Sequence, residues 1–254
     1  RYITKIHGFC LSLSESKDFA MKYKRVLLKL SGESLGGPDG QGLDAGVLSA
    51  FAQEICPVVK AGVQVAVVIG GGNIFRGLKG VGEGYERVHG DQMGMLATVI
   101  NSIALADALR DMNLQAEVYT ATPMLAFANY YKRDAVLSHL EKGVVTLLAG
   151  GTGNPFFTTD SASALRAIEL GADAVLKGTR VDGVYTADPE KDPQAVRYTA
   201  LSYDEALQKN LKIMDLTAFT LCRENKMPIV VFNMNTHGNM LRVINGEPVG
   251  TIIK

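Results

Sequence analysis

Cysteine is scarce in this 254-residue chain. Cys10, Cys56 and Cys222 lie far apart and form no CxxC pair. That argues against a disulfide framework or a thiolate zinc site, and it fits a reducing cytosol. Net charge is also missing, because Lys+Arg and Asp+Glu are both 26, so no global field draws the chain to nucleic acid or to a membrane surface. The longest apolar runs, such as Val63–Ile69, are too short to span a bilayer. No Gly-Lys dipeptide occurs, which excludes a Walker A loop. Gly70-x-Gly72 is followed by Phe75, and Gly151-x-Gly153 by Phe156, where a dinucleotide fingerprint needs its third glycine. His7, His89, His139 and His237 are scattered, and nothing resembles a nucleophile–base pair.

What is present is a soluble, globular composition, with 47% hydrophobic and 20% charged residues. Residues 1–20 resist a fold assignment. Their Phe9-Cys10-Leu11 patch is too short for a signal-peptide core, and Met21 followed by Lys22-Tyr23-Lys24-Arg25 reads like a natural start. They are treated as an extension of unknown origin, with residues 21–254 as one domain.

Apolar runs ending in glycine alternate with helical patterns. Strands are expected at Val26–Leu30, Val63–Ile69, Ala116–Thr120, Val144–Ala149, Ala174–Lys177 and Ile229–Phe232, with Thr251–Ile253 as a final edge. Helices are expected from Asp44 to about Lys60 (with Pro57 kinking or shortening it), Asp91 to about Met112, Arg133–Lys142, Asp160–Leu170, Tyr203–Lys209 and Leu216–Lys226. Gly178–Pro193 reads as a loop. This is α/β with a mainly parallel sheet, and ligands bind such sheets at the carboxyl ends of strands, where the glycines fall.

Four stretches carry chemistry. In Lys29-Leu30-Ser31-Gly32-Glu33 an ammonium one residue before a strand end can meet a transferring phosphoryl group, and Ser31 and Gly32 add amide donors. The bland alternative is a surface lysine. Gly70-Gly71-Gly72-Asn73, with Arg76 one turn later, forms a cradle of backbone N–H groups for an anion and a guanidinium to clamp it, or else a tight packing turn. Thr152-Gly153-Asn154-Pro155-Phe156-Phe157-Thr158-Thr159-Asp160 sets hydroxyls, an amide and a carboxylate before a helix. Asp160 can cap that helix, orient Lys29 or assist Mg2+, while the two phenylalanines read as packing groups. The stretch Lys177–Tyr185, with Asp188-Pro189, suits adenine and ribose contacts, or is an ordinary exposed turn.

Taken together these stretches resemble the amino-acid-kinase superfamily and, within it, the bacterial UMP kinases. The resemblance spans Met21–Lys254, and Gly90–Thr98 and Met214-Asp215-Leu216 add to it. It implies a three-layer αβα sandwich, an N-terminal half mainly on the UMP side, a C-terminal half mainly on the ATP side, and a cytoplasmic homohexamer. It assigns Lys29, Leu30, Ser31, Gly32, Gly72, Arg76, Thr179, Tyr185 and Asp188 to ATP. Gly71, Asp91 and Thr152 through Thr159 go to UMP, with Asp91 near the ribose. It implies Mg2+ carried mainly on ATP phosphates, UTP feedback inhibition, and GTP activation through Gly37, Pro38, Asp39, Gly40, Gln41 and Gly42. Lys29, Arg76 and Asp160 are the expected catalytic set. The rivals are a relative that phosphorylates a carboxylate or another phosphate, and a non-catalytic nucleotide sensor.

Overall fold

The structure is a computed structural model that describes residues 21–75, 84–189 and 191–254. Arg76 therefore lies outside the described residues. In chain order the elements are β1 (Arg25–Leu30), a 3-10 segment (Gly32–Asp39), α1 (Ala45–Lys60), β2 (Gln64–Ile69), α2 (Arg87–Asp111), β3 (Ala116–Thr120), β4 (Asn129–Tyr130), α3 (Arg133–Glu141) and β5 (Val145–Ala149). Then come α4 (Thr159–Glu169), β6 (Ala174–Thr179), β7 (Ala200–Leu201), α5 (Tyr203–Gln208), α6 (Leu216–Glu224), β8 (Ile229–Asn233), α7 (Asn239–Ile244) and β9 (Thr251–Ile253).

The strands form one nine-stranded sheet in the order β4-β3-β5-β2-β1-β6-β8-β9-β7. All neighbours are parallel except β8 and β9. Side chains alternate across it, as the twofold strand period requires. Val26, Leu28, Val65, Val67, Val145 and Leu147 pack on one face against α1, α2 and α7. Leu27, Ala66, Val68, Leu148 and Val175 pack on the other against α3, α4, α5 and α6. Three layers result. Because both faces are covered, the central strands read as continuous apolar runs.

The chain builds outward from β1 to β2, continues to β4, returns to place β5 beside β2, and then crosses β1 to lay down β6. That reversal opens a crevice at the carboxyl ends of β1, β2, β5 and β6. Two glycines let the strand ends approach there. A Cβ on Gly32 would lie 2.3 Å from Gly70 O, and one on Gly71 would lie 2.8 Å from both the Ala97 Cβ and Gly94 O.

Several expectations need correction. Helix α1 runs through Pro57 to Lys60. The proline sits in the last turn, so only one backbone hydrogen bond is forgone. Helix α2 starts at Arg87 rather than Asp91, because Asp91 pairs with Arg87 inside the first turns. Helix α4 is capped by Thr158, whose hydroxyl accepts from Asp160 N and Ser161 N; Asp160 is in its first turn. Strand β6 extends to Thr179, so the expected loop starts two residues later. Strand β9 is not the edge, since β7 pairs outside it. The two-residue strands β4 and β7 and the six-residue α7 are too short to leave a periodicity. Helix α2 is long and apolar enough to cross a bilayer, yet its Val99, Leu105 and Leu109 are buried against the sheet.

The close approach at Gly32 generates a test. Gly32→Ala is expected to lose about 1–3 kcal/mol in denaturant unfolding, the range for overpacking. Gly94→Ala has open space at its Cβ within α2 and is expected to gain up to about 1 kcal/mol from helix propensity.

Candidate active site

The register of the sheet sets the central chemistry. Lys29 on β1 and Lys177 on β6 are direct partners in the parallel ladder. Each falls on the same face as the Leu27 or Val175 two residues before it, the face that α4 covers. Adjacent strands lie about 4.8 Å apart, so two ammonium groups stand side by side. The first turn of α4 brings Asp160 between them. Asp160 Oδ1 lies 2.7 Å from Lys29 Nζ, and Oδ2 lies 3.0 Å from Lys177 Nζ.

Burial pushes the Asp160 carboxyl up, but the attraction of Lys29 and then Lys177 outweighs it and holds the group below the usual carboxylate range. For Lys177 the balance runs the other way. Burial pushes its ammonium down by more than Asp160 raises it, and Lys29 adds to the lowering. Lys177 Nζ also donates to Ile213 O. Lys177, expected as a strand end without a catalytic role, is therefore a core member of the cluster. The signal in the sequence was its position, since it ends an expected strand much as Lys29 does.

Helix α4 is held in place by Asp215, which the sequence offered only as part of a resemblance. Asp215 accepts from the Thr158 hydroxyl, from Ser161 Oγ at 3.1 Å and from Ala218 N at 2.9 Å. It caps α6 and fastens the start of α4 to it. Because Thr158 takes over the capping of α4, both Asp160 oxygens are left for the lysines.

Two kinds of space lie near this cluster, the smaller one approaching it through Thr158 and Thr159, which precede Asp160. A pocket of about 130 Å³ is lined by Gly71, Asp91, Thr152, Asn154, Phe157, Thr158 and Thr159, together with Met95 and Thr98 from α2. Gly153, Pro155 and Phe156 do not line it. Phe156 adopts φ +71°, and its backbone N–H donates to Asp91 Oδ2 at 2.7 Å. Arg87 Nε donates to both Asp91 oxygens, at 2.9 and 2.8 Å, and its guanidinium stands 5.3 Å from the Phe156 ring. Phe156 and Phe157 are 65% and 50% exposed, so neither is the packing group expected. Thr98, which was given no role, accepts from Gly150 N at 2.8 Å and ties the second glycine turn to α2.

On the other side are two cavities of about 630 Å³ each, both bordered by Lys177 and Thr179. One adds Lys29, Ser31, Arg180 and the Gly37, Pro38 and Gly40 backbone. The other adds Tyr185, Asp188, Asn210 and Leu211. Tyr185 donates to Asp182 Oδ1, and Asp188 pairs with Lys191 at 3.3 Å. Leu30 is buried in the sheet beneath. Gly72 lies against the Glu33 side chain, whose Cγ would be 3.3 Å from an added Cβ. Among the described residues no group of three or more His, Cys, Asp or Glu side chains could hold a metal ion.

The arrangement suits phosphoryl chemistry. Two larger cavities border a pair of ammonium groups held by a carboxylate, and a smaller pocket lies beside them along Thr158 and Thr159. Charge that develops between two phosphates would meet donors already in place.

Comparison with known proteins agrees with this geometry. Residues 24–233 match the model of the amino acid kinase family. A uridylate kinase of Bacteroides thetaiotaomicron is 55% identical over 91% of this chain and 98% of its own length. One from Porphyromonas gingivalis is 55% identical over 91% and 97%. Among solved structures, a UMP kinase of Bacillus anthracis superposes with a TM-score of 0.88 at 41% identity, covering 91% of this chain and 96% of its own. A UMP kinase of Ureaplasma parvum gives 0.86 at 35%, over 92% and 100%.

Removing the carboxylate tests the cluster. Asp160→Asn leaves two neighbouring ammonium groups uncompensated, for an expected cost of about 3–5 kcal/mol. The Asp160 pKa is lowered by folding, so its stabilisation is present above the ordinary value and is lost as pH falls through the folded one. The stability gap to the unsubstituted protein, read by denaturant unfolding, should therefore narrow as pH falls below about 4, and narrow again toward alkaline pH, where a lysine left without Asp160 sheds its proton in the folded variant.

Proposed function

The chain belongs to the amino acid kinase family, and we propose that it transfers the γ-phosphoryl group of ATP to UMP, giving ADP and UDP for pyrimidine nucleotide synthesis. The carrying observation is the Lys29–Asp160–Lys177 cluster, whose lysines border two larger cavities and whose carboxylate follows Thr158 and Thr159 of a smaller pocket. On this reading the nucleoside monophosphate belongs to the smaller pocket and the triphosphate to the larger cavities. The high identity to uridylate kinases over nearly their whole length supports UMP as the acceptor.

In the proposed mechanism a UMP phosphate oxygen attacks the γ-phosphorus in line. The new O–P bond forms as the bond to the β,γ-bridging oxygen breaks, and ADP leaves with that electron pair, without a phosphoenzyme. Lys29 and Lys177 stabilise the charge on the moving group, Asp160 aims them, and Arg76 clamps phosphates. Leu30, Ser31, Gly32, Gly72, Thr179, Tyr185 and Asp188 serve ATP. Gly71, Asp91 and the Thr152–Thr159 segment serve UMP, with Asp91 toward the ribose. The N-terminal half of the domain is thus mainly the acceptor side and the C-terminal half mainly the donor side.

Both Asp160 oxygens already face ammonium groups, and the described side chains form no metal cage. This donor set suits Mg2+ that arrives on ATP phosphate oxygens and neutralises charge there, as that ion commonly does.

Assembly and regulation belong to the same proposal. Leu96, Ile100 and Ile103 on α2, with Leu43 nearby, form an exposed apolar stripe. Covering it with further copies supports a homohexamer. GTP activation acts through Gly37–Gly42, UTP inhibits, and the enzyme works in the cytoplasm.

A coupled assay for UDP tests the reading. UMP should be preferred over CMP, dTMP, acetylglutamate and aspartate by at least about tenfold, and Lys29→Ala should lower kcat about 100-fold or more. A better acceptor among the alternatives would reassign the substrate. UTP binding without any UDP formation would favour a sensor.

A further inference from the structure

We propose that Asn73 and Asn101 are positioning residues for the transfer, and that their reciprocal amide pair sets the Gly70–Gly72 turn in its working place. The proposal rests on the phosphoryl-transfer reading above. Both side chains are buried, Asn101 completely. Asn73 Nδ2 donates to Asn101 Oδ1 at 3.0 Å and to Gly42 O at 2.6 Å. Asn101 Nδ2 donates to Asn73 Oδ1 at 2.7 Å and to Gly70 O at 2.6 Å. All four amide hydrogens have an acceptor, so the network is complete. Turning either amide over would set oxygen against oxygen, at Gly42 or at Gly70, so the pair has one orientation.

What the pair holds makes it more than packing. Gly70 O and Asn73 Oδ1 are the atoms nearest Gly32, at 2.3 and 2.7 Å from an added Cβ. The amides thus fix the surface on which Gly32 rests, next to Lys29 and Ser31. Gly42 is tied twice, since its own N–H donates to Asn73 O at 2.9 Å. This anchors the end of the Gly37–Gly42 segment, whose Gly37 and Gly40 border the cavity beside Lys29. The other anchor is α2, where Asn101 stands one turn after Thr98, the residue that holds Gly150 N. One helix therefore sets both glycine turns, while neighbouring Ile100 and Ile103 face outward. The pair links the acceptor pocket, the Gly37–Gly42 segment and the apolar stripe on α2.

A buried amide pair that served only stability would change activity only through the folded fraction. A positioning pair would change transfer in protein that remains folded, because misplacement of about 1 Å is enough to cost up to 100-fold. The test uses the full chain with Asn101→Leu and Asn101→Asp, measuring UDP formation, binding of a non-hydrolysable ATP analogue, and folded fraction by circular dichroism from pH 5.5 to 8.5. Asn101→Leu is expected to lose at least about tenfold in kcat/KM for UMP, more than any loss in analogue affinity. Asn101→Asp places a carboxylate against Gly70 O and Asn73 Oδ1, so its pKa rises. Protonation restores one donor. Its activity per folded molecule, relative to the unsubstituted protein, should therefore climb as pH falls.

Three results would overturn the inference. These are both variants within twofold of the unsubstituted protein, a pH-independent activity ratio for Asn101→Asp, or activity that simply follows the folded fraction. If Asn101→Leu does not fold, the Asn101→Asp ratio decides. If the unsubstituted protein forms no UDP, the failure lies with the kinase reading instead.

Discussion

The site depends on one electrostatic constraint: two lysines in register on neighbouring strands need a carboxylate between them. Lys29 and Lys177 are ladder partners, so the separation of their backbones is set by the sheet. Without compensation, like charges this close and this poorly hydrated would drive one ammonium to deprotonate. Asp160 resolves the conflict with one oxygen for each lysine. Two cations face Asp160, and Asp215 also acts on Lys177, so acidic and basic groups are interleaved where phosphate charge would have to be met.

That constraint reaches back into how α4 begins. A carboxylate used as N-cap would spend its oxygens on backbone N–H groups, so the capping falls to Thr158 and Thr158 is in turn held by Asp215. The dipole of α4 also favours an anion in its first turn, which helps keep Asp160 ionised. A hydroxyl cap, a carboxylate tie from α6 and a helix dipole thus cooperate to free a single side chain. The same residues, Thr158 and Thr159, line the acceptor pocket, so what aims Asp160 also shapes that pocket.

The sheet was legible from the sequence because its central strands are buried on both faces and written as apolar runs ending in glycine. Lys29 and Asp160 were legible too, since a charged residue beside a buried strand end stands out. Lys177 was read as the end of a strand but given no place beside Lys29. Only the pairing of β6 with β1, which no local pattern encodes, makes it the partner of Lys29. The Asp160 cap was misplaced for a related reason. Thr158 and Asp160 are both good caps by residue type, and the choice between them is made by lysines on strands distant in the chain. Phe156 and Phe157 looked like packing groups because aromatic residues usually are. Here a left-handed backbone at Phe156 turns the loop back so that its N–H meets Asp91, leaving the Phe156 ring exposed while Phe157 lines the pocket.

Helix α2 explains why the two glycine turns can act together. Gly71 packs so closely on it that a Cβ would strike Ala97, Asn101 takes Gly70 O, and Thr98 takes Gly150 N. The turns end strands β2 and β5, which are neighbours in the sheet. Strand pairing fixes where these turns start and α2 fixes where they lead. Anything that shifted α2 along its axis would move both turns at once and change the acceptor pocket as a unit. The outer face of α2 is the apolar stripe of Leu96, Ile100 and Ile103. A partner seated there would press on the helix that both glycine turns share, so contact at the stripe and the placement of the two turns are mechanically joined.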